Sequence, residues 1–117
     1  MPPSPRRGEI WRVKFDPTQG AELRKTRPAV VISSDEIGIL PIKLVAPITA
    51  WKEAFETNLW HVRIDPDDEN GLDKPSAVDA LQIRSVAIER FVERVGMVPS
   101  ETLSEVTAAV AAVIEHE

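Results

Sequence analysis

The chain of 117 residues contains no cysteine. That excludes a thiolate nucleophile, a disulfide framework and a thiolate zinc knuckle, and it fits a cytoplasmic setting. Its two histidines, His61 and His116, are too few and too far apart in sequence for a metal cluster. No apolar run approaches the ~20 residues that cross a bilayer. The start, Met1 to Arg7, is Pro-rich and basic without the apolar core of a signal peptide, and reads as a short disordered segment over residues 1–6 ahead of a single domain over 7–117. A domain of that size buries roughly two-thirds of its unfolded surface without a metal or a staple. Glycine-rich phosphate loops and βαβ alternation are also missing.

The formal net charge is −5. Its distribution says more than its sum, because the acids concentrate in two places. Asp65, Asp67, Asp68, Glu69 and Asp73 share one turn-rich stretch, and Glu101, Glu105, Glu115 and Glu117 fall in the C-terminal stretch. The remainder is mildly basic. Within it, Arg24, Lys25 and Arg27 sit on a polar segment that runs into Pro28 and the apolar run Ala29 to Ile32. Pro28 biases Arg27 to an extended backbone at the mouth of a strand, and the guanidinium fork matches a phosphate. The same residues also read as an ordinary solvated loop.

Along the chain, Trp11, Val13 and Phe15 alternate with Arg12 and Lys14, which predicts a half-buried strand with a basic outer face. Residues 16–26 form a long loop, a candidate lid. Strands are expected at Ala29 to Ile32 and at Ile42 to Ala46, with Thr49 just past the second one's end. Residues 51–58 read equally as a helical turn or an exposed lip. In Trp60 to Ile64, alternation places Trp60, Val62 and Ile64 inward and His61 and Arg63 outward; no Asp or Ser lies at a spacing that would fix His61 for catalysis. Asp65 to Lys74 reads as a solvated turn without calcium-loop spacing. Pro75 to Ser85 is one long strand candidate with Gln82 and Arg84 on a common face, Ala87 to Arg90 a turn of helix, and Phe91 to Val98 a last strand with a bulge at Gly96. The C-terminus predicts a helix with a capping box at Thr102 to Glu105 or a Ser100 cap, and an apolar face of Leu103, Val106, Val110, Val113 and Ile114. Short strands with one terminal helix favour a small, strongly curved antiparallel sheet or barrel.

Gly8-Glu9-Ile10-Trp11, Asp16-Pro17 with Gly20 and Glu22, Lys25-Thr26-Arg27-Pro28-Ala29-Val30-Val31-Ile32, Ala46-Pro47-Ile48-Thr49 and Leu81-Gln82-Ile83-Arg84 occur in this order. Together they resemble the MazF/PemK toxins of toxin–antitoxin systems, from about Arg7 to the end of the helix. The resemblance implies an SH3-like barrel with a C-terminal helix, a homodimer, and a sequence-specific, metal-independent endoribonuclease (mRNA interferase) with no cofactor. It implies that Arg27 and Thr49 carry the chemistry, that Gln82, Arg84 and the loop bearing Glu22 line the RNA groove, and that a cognate antitoxin neutralises the toxin. Ala21 departs from members that carry Ser there, which leaves the cleavage sequence open. Attack by the RNA's own 2′-hydroxyl needs charge stabilisation and proton transfer rather than a protein nucleophile. Arg27 is suited to the first, and Glu22 is the candidate base. Arg24 and Lys25 would meet phosphates, and Trp51 would stack a base. The competing reading is a toxin of the same fold that binds a protein target such as DNA gyrase; a third is a non-toxic adaptor.

Overall fold

The computed structural model describes residues 4–15, 26–37 and 40–116. Seven strands and one α-helix make up its regular structure: β1 (Glu9–Lys14), β2 (Thr26–Val31), β3 (Ile42–Ala50), β4 (His61–Ile64), β5 (Ser76–Asp79), β6 (Arg84–Ala87), β7 (Phe91–Met97) and α1 (Ser100–Val113). All the pairings are antiparallel, in the order β4-β5-β3-β2-β1-β7, with β6 also on β3. No pairing joins β4 to β7 among the described residues. The antiparallel make-up and terminal helix are as expected, but the sheet is open rather than a closed barrel.

β3 is the hub. It continues through Pro47 to Ala50, so Thr49 lies within a strand instead of just beyond one. One edge of β3 pairs with β2, while the other carries β6 opposite residues 42–45 and β5 opposite residues 48–50. Between those partners the chain leaves the ladder in a 3₁₀ turn, Ala80–Gln82. The single strand expected over residues 75–85 is therefore two strands. Leu81, which a single strand would set on the face opposite Gln82 and Arg84, is 58% exposed, and Gln82 is presented by a turn.

Strand alternation gives the sheet two faces. On one, Ile10, Val30, Ala46, Ile48, Ile64, Val78 and Val98 meet Val106 of α1, with Leu103 and Val110 against them. On the other, Val13, Ala29, Val31, Val45, Val86 and Phe91 pack with Trp11 and Phe15. Ile10 and Val13, three residues apart, are both fully buried on opposite faces, as strand alternation places them, and the register of β1 on β7 shifts twice.

Four local expectations change. The extra residue of the first register shift is Val95, not Gly96. Gly96 instead lets the acidic turn approach, since a Cβ there would lie 2.3 Å from the Glu69 carbonyl oxygen. That turn is not merely solvated: Asn70 is 1% exposed, its Oδ1 accepts from the N–H of Leu72 and its Nδ2 donates to the Asp65 carbonyl. Helix α1 begins after Pro99 without a side-chain cap, so the capping box does not form, and Ile114 is exposed past the helix end. Pro5, within the stretch expected to be disordered, is fully buried, and Arg6 reaches Asp35 at 3.5 Å.

Candidate active site

Cross-strand register decides which side chains can meet. Ala29 pairs with Pro47, so Arg27, two residues before Ala29, shares a face with Pro47 and Thr49. Thr49 pairs with Ala77, and Asp79, two residues on, pairs with His61. Arg27, Thr49, Asp79 and His61 thus lie on the face opposite the helix-covered core. They line one cleft of about 380 Å³, and Gln82 joins them from the 3₁₀ turn. His61 does face away from that core, but into this cleft rather than into open solvent: its side chain is 7% exposed.

Asp79 organises the cleft floor. Its Oδ1 accepts the Leu81 N–H at 3.0 Å, which starts the turn, and its Oδ2 accepts from Gln82 Nε2 at 3.0 Å. The same Oδ2 lies 3.7 Å from His61 Nε2, while Asn58 Nδ2 is 3.2 Å from His61 Nδ1. His61 Nδ1 is thus hydrogen-bonded, while its Nε2 stands beyond hydrogen-bond distance of Asp79. Phe55 stacks on the His61 ring, with centroids 3.7 Å apart and planes 10° from parallel. Trp60, expected in the core, instead lines the cleft with its ring 5.7 Å from that of His61. Helix α1 packs against the 3₁₀ turn and β4 from behind, so the floor rests on a rigid element.

A second cleft of about 330 Å³ continues the first, sharing Arg27, Pro47 and Gln82 and adding Phe15 and Arg84. The Arg84 guanidinium lies 5.2 Å from the Phe15 ring centre, within cation–π reach. Trp51 stands behind the first wall: it meets Phe55 edge-on at 5.9 Å, and Arg63 lies 5.0 Å over its ring. It is half-buried there and is not among the residues lining the first cleft, so it buttresses Phe55. Residues 51–58, ambiguous in sequence, contain a 3₁₀ turn at Glu53–Phe55. Glu22, Arg24 and Lys25 lie outside the described residues.

A profile described as "PemK-like, MazF-like toxin of type II toxin-antitoxin system" matches residues 6–114. The chain belongs to this family. Among its relatives, endoribonuclease MazF9 of Mycobacterium tuberculosis is 34% identical over 110 residues, covering 89% of this chain and 91% of that protein. Endoribonuclease MazF of Staphylococcus saprophyticus is 32% identical over 108 residues, covering 90% and 87%. Among solved structures, a mycobacterial endoribonuclease in complex with its cognate antitoxin superposes with a TM-score of 0.77 at 17% identity, covering 97% of this chain and 98% of that one. A MazE–MazF complex from Deinococcus radiodurans gives 0.76 at 23%, with the same coverages.

Of the residues that sequence reasoning singled out in this PemK/MazF-family chain, Arg27, Thr49 and Gln82 come together in one cleft and Arg84 in its continuation. It missed Phe55, His61, Trp60 and Asp79. His61 lacked a partner only in local sequence, because its partner is the residue across the β4–β5 ladder. Such a pairing is legible once the strand register is known and not before.

Proposed function

We propose that this chain is an endoribonuclease toxin that cuts single-stranded RNA at a short sequence, using the RNA's own 2′-hydroxyl. The observation carrying this reading is the common cleft of Arg27, Thr49 and Gln82 in a chain of this family. The 2′-oxygen attacks the adjacent phosphorus, the bond to the 5′-oxygen breaks, and a 2′,3′-cyclic phosphate and a 5′-hydroxyl result. Negative charge builds on the non-bridging oxygens. A guanidinium is permanently charged and offers a planar fork of donors, so Arg27 stabilises that charge, and Thr49 donates its hydroxyl hydrogen to one of the same oxygens. A preorganised donor of this kind contributes about 10²- to 10³-fold in rate. Arg27 is a poor proton carrier near neutrality. The proton transfers therefore fall to other groups, with Glu22 the residue the family resemblance puts forward.

The relatives named above are endoribonucleases, which favours this reading over a toxin that poisons a protein target. No α-helix among the described residues is long and apolar enough to cross a membrane. We place the toxin in the cytoplasm with its RNA, as a homodimer held in check by a cognate antitoxin whose segment occupies the groove.

The decisive experiment incubates the purified chain with a long single-stranded RNA in excess chelator, beside Arg27→Ala and Thr49→Ala. Discrete fragments ending in a 5′-hydroxyl, from the parent only, are the expected result. Full activity in Arg27→Ala would remove that residue from the mechanism, and no cleavage by the folded parent would overturn the enzyme.

A further inference from the structure

The cleft holds a carboxylate where a polyanion is to bind. Asp79 caps the 3₁₀ turn, but Ser or Asn would accept the Leu81 N–H as well without placing a negative charge beside RNA phosphates. Its charge needs a separate reason. Resting on the ribonuclease reading above, we propose that the cleft takes one unstacked guanine of the RNA, read on its Watson–Crick edge by Asp79 and Gln82.

Three features of the cleft select that base. The first is an aromatic cluster: Phe55 stacks on the buried His61 ring and Trp60 stands beside it, tilted by 41°, so the half-buried Phe55 and Trp60 offer ring surface in the cleft on which a splayed base can stack. The second is the donor and acceptor order. An ionised carboxylate only accepts, and each Asp79 oxygen has a second lone pair beyond the bond from Leu81 or Gln82. Gln82 Nε2 donates one hydrogen to Asp79 and has another to give. Side by side they present a donor followed by acceptors. Guanine offers the complement, O6 as acceptor with N1–H and the 2-amino group as adjacent donors. Adenine and cytosine each set one amino donor beside a ring acceptor that would face the carboxylate, and uracil flanks its single N–H with carbonyl oxygens. The third is rigidity. The Asp79 side chain is 11% exposed and held by the turn that α1 supports, so its acceptors stay aimed.

The test uses the full chain and short, uncleavable 2′-deoxy oligonucleotides of uracil carrying one guanine, inosine, adenine or cytosine at the centre, with binding read by fluorescence anisotropy. The guanine oligonucleotide should bind about 10-fold or more tighter than the adenine and cytosine ones. Inosine lacks only the 2-amino group, and most of the preference should vanish with it. In Asp79→Asn the guanine-to-inosine ratio should fall towards one; a merely structural loss would weaken every oligonucleotide by the same factor and leave the ratio unchanged. Phe55→Ala leaves the turn's hydrogen bonds intact and should weaken the guanine oligonucleotide.

Equal affinity of the parent for all four centres, or an unchanged ratio in Asp79→Asn, would overturn the proposal, and the inosine comparison needs no variant at all. Cleavage of long RNA by the parent is scored separately. Guanine selectivity without cleavage would sink the enzyme and keep the pocket, whereas cleavage sites sharing no guanine would sink the pocket and keep the enzyme.

Discussion

Thr49 and His61 show opposite relations between a residue and its sequence context. Thr49 sits in a short pattern, Pro47-Ile48-Thr49, whose chemistry is local: a hydroxyl on a strand facing Arg27's side of the sheet. If its hydroxyl donates to a phosphate oxygen, Thr49→Ser should keep most of the cleavage rate, while the nearly isosteric Thr49→Val should lose about 10-fold or more, with little change in melting temperature. Single-turnover cleavage of a defined RNA, beside thermal unfolding, makes the comparison. Equal rates for the Ser and Val variants would leave Thr49 as a packing residue. His61, by contrast, was legible only as the outward residue of an alternating strand. Alternation gives the face and not what covers it. The partners that enclose His61 come from elsewhere: Phe55 and Asn58 from the preceding loop and Asp79 from β5. No one-dimensional spacing encodes that meeting.

Elements were legible where a period ran undisturbed and were misread where a turn interrupted it. Pro75 to Ser85 alternates well enough for one strand, yet Asp79 draws the Leu81 N–H into a 3₁₀ turn and splits it. That break is what delivers Gln82 into the cleft. The acidic turn was misjudged for a related reason: its charges spoke for solvent, while one buried Asn and one glycine on β7 decided its structure. At Gly96 the neighbours of an added Cβ are backbone atoms, the Glu69 oxygen at 2.3 Å and the Asn70 carbonyl carbon at 2.5 Å, which cannot rotate aside. Gly96→Ala should therefore cost about 3 kcal/mol through overpacking, lowering the melting temperature by roughly 10 °C. Gly8→Ala makes the contrast. There the nearest atom to an added Cβ is Leu103 Cδ2 at 3.7 Å, and the cost is backbone strain at φ +90°, about 1 kcal/mol. Two-state melts of both variants check the order; a Gly96→Ala protein as stable as the parent would mean the turn is not seated on β7 in solution.

The whole molecule resolves the apparent conflict between an acidic chain and an anionic substrate. Glu101 and Glu105 ride on α1, which covers the sheet face centred on Val106, while Arg27, Thr49 and the Arg84 cleft lie on the other face. The sum of charges, −5, describes neither face. Sequence made the segregation visible as two acidic blocks, but only the register of β2 on β3 and of β3 on β6 shows that Arg27 and Arg84 share one side. If Arg84 meets the RNA backbone rather than a base, its effect is electrostatic and indifferent to sequence. Arg84→Ala should weaken binding of all single-stranded oligonucleotides by a similar factor, and should make the slope of log affinity against log salt shallower by about 0.7, the release of one counterion from a single strand. Titrations of a guanine-centred and a plain uracil oligonucleotide across a range of salt concentrations measure both quantities. A loss confined to the guanine oligonucleotide would move Arg84 from the backbone to the base, and the reading of the two clefts as one groove, with recognition in the first and charge in the second, would fail with it.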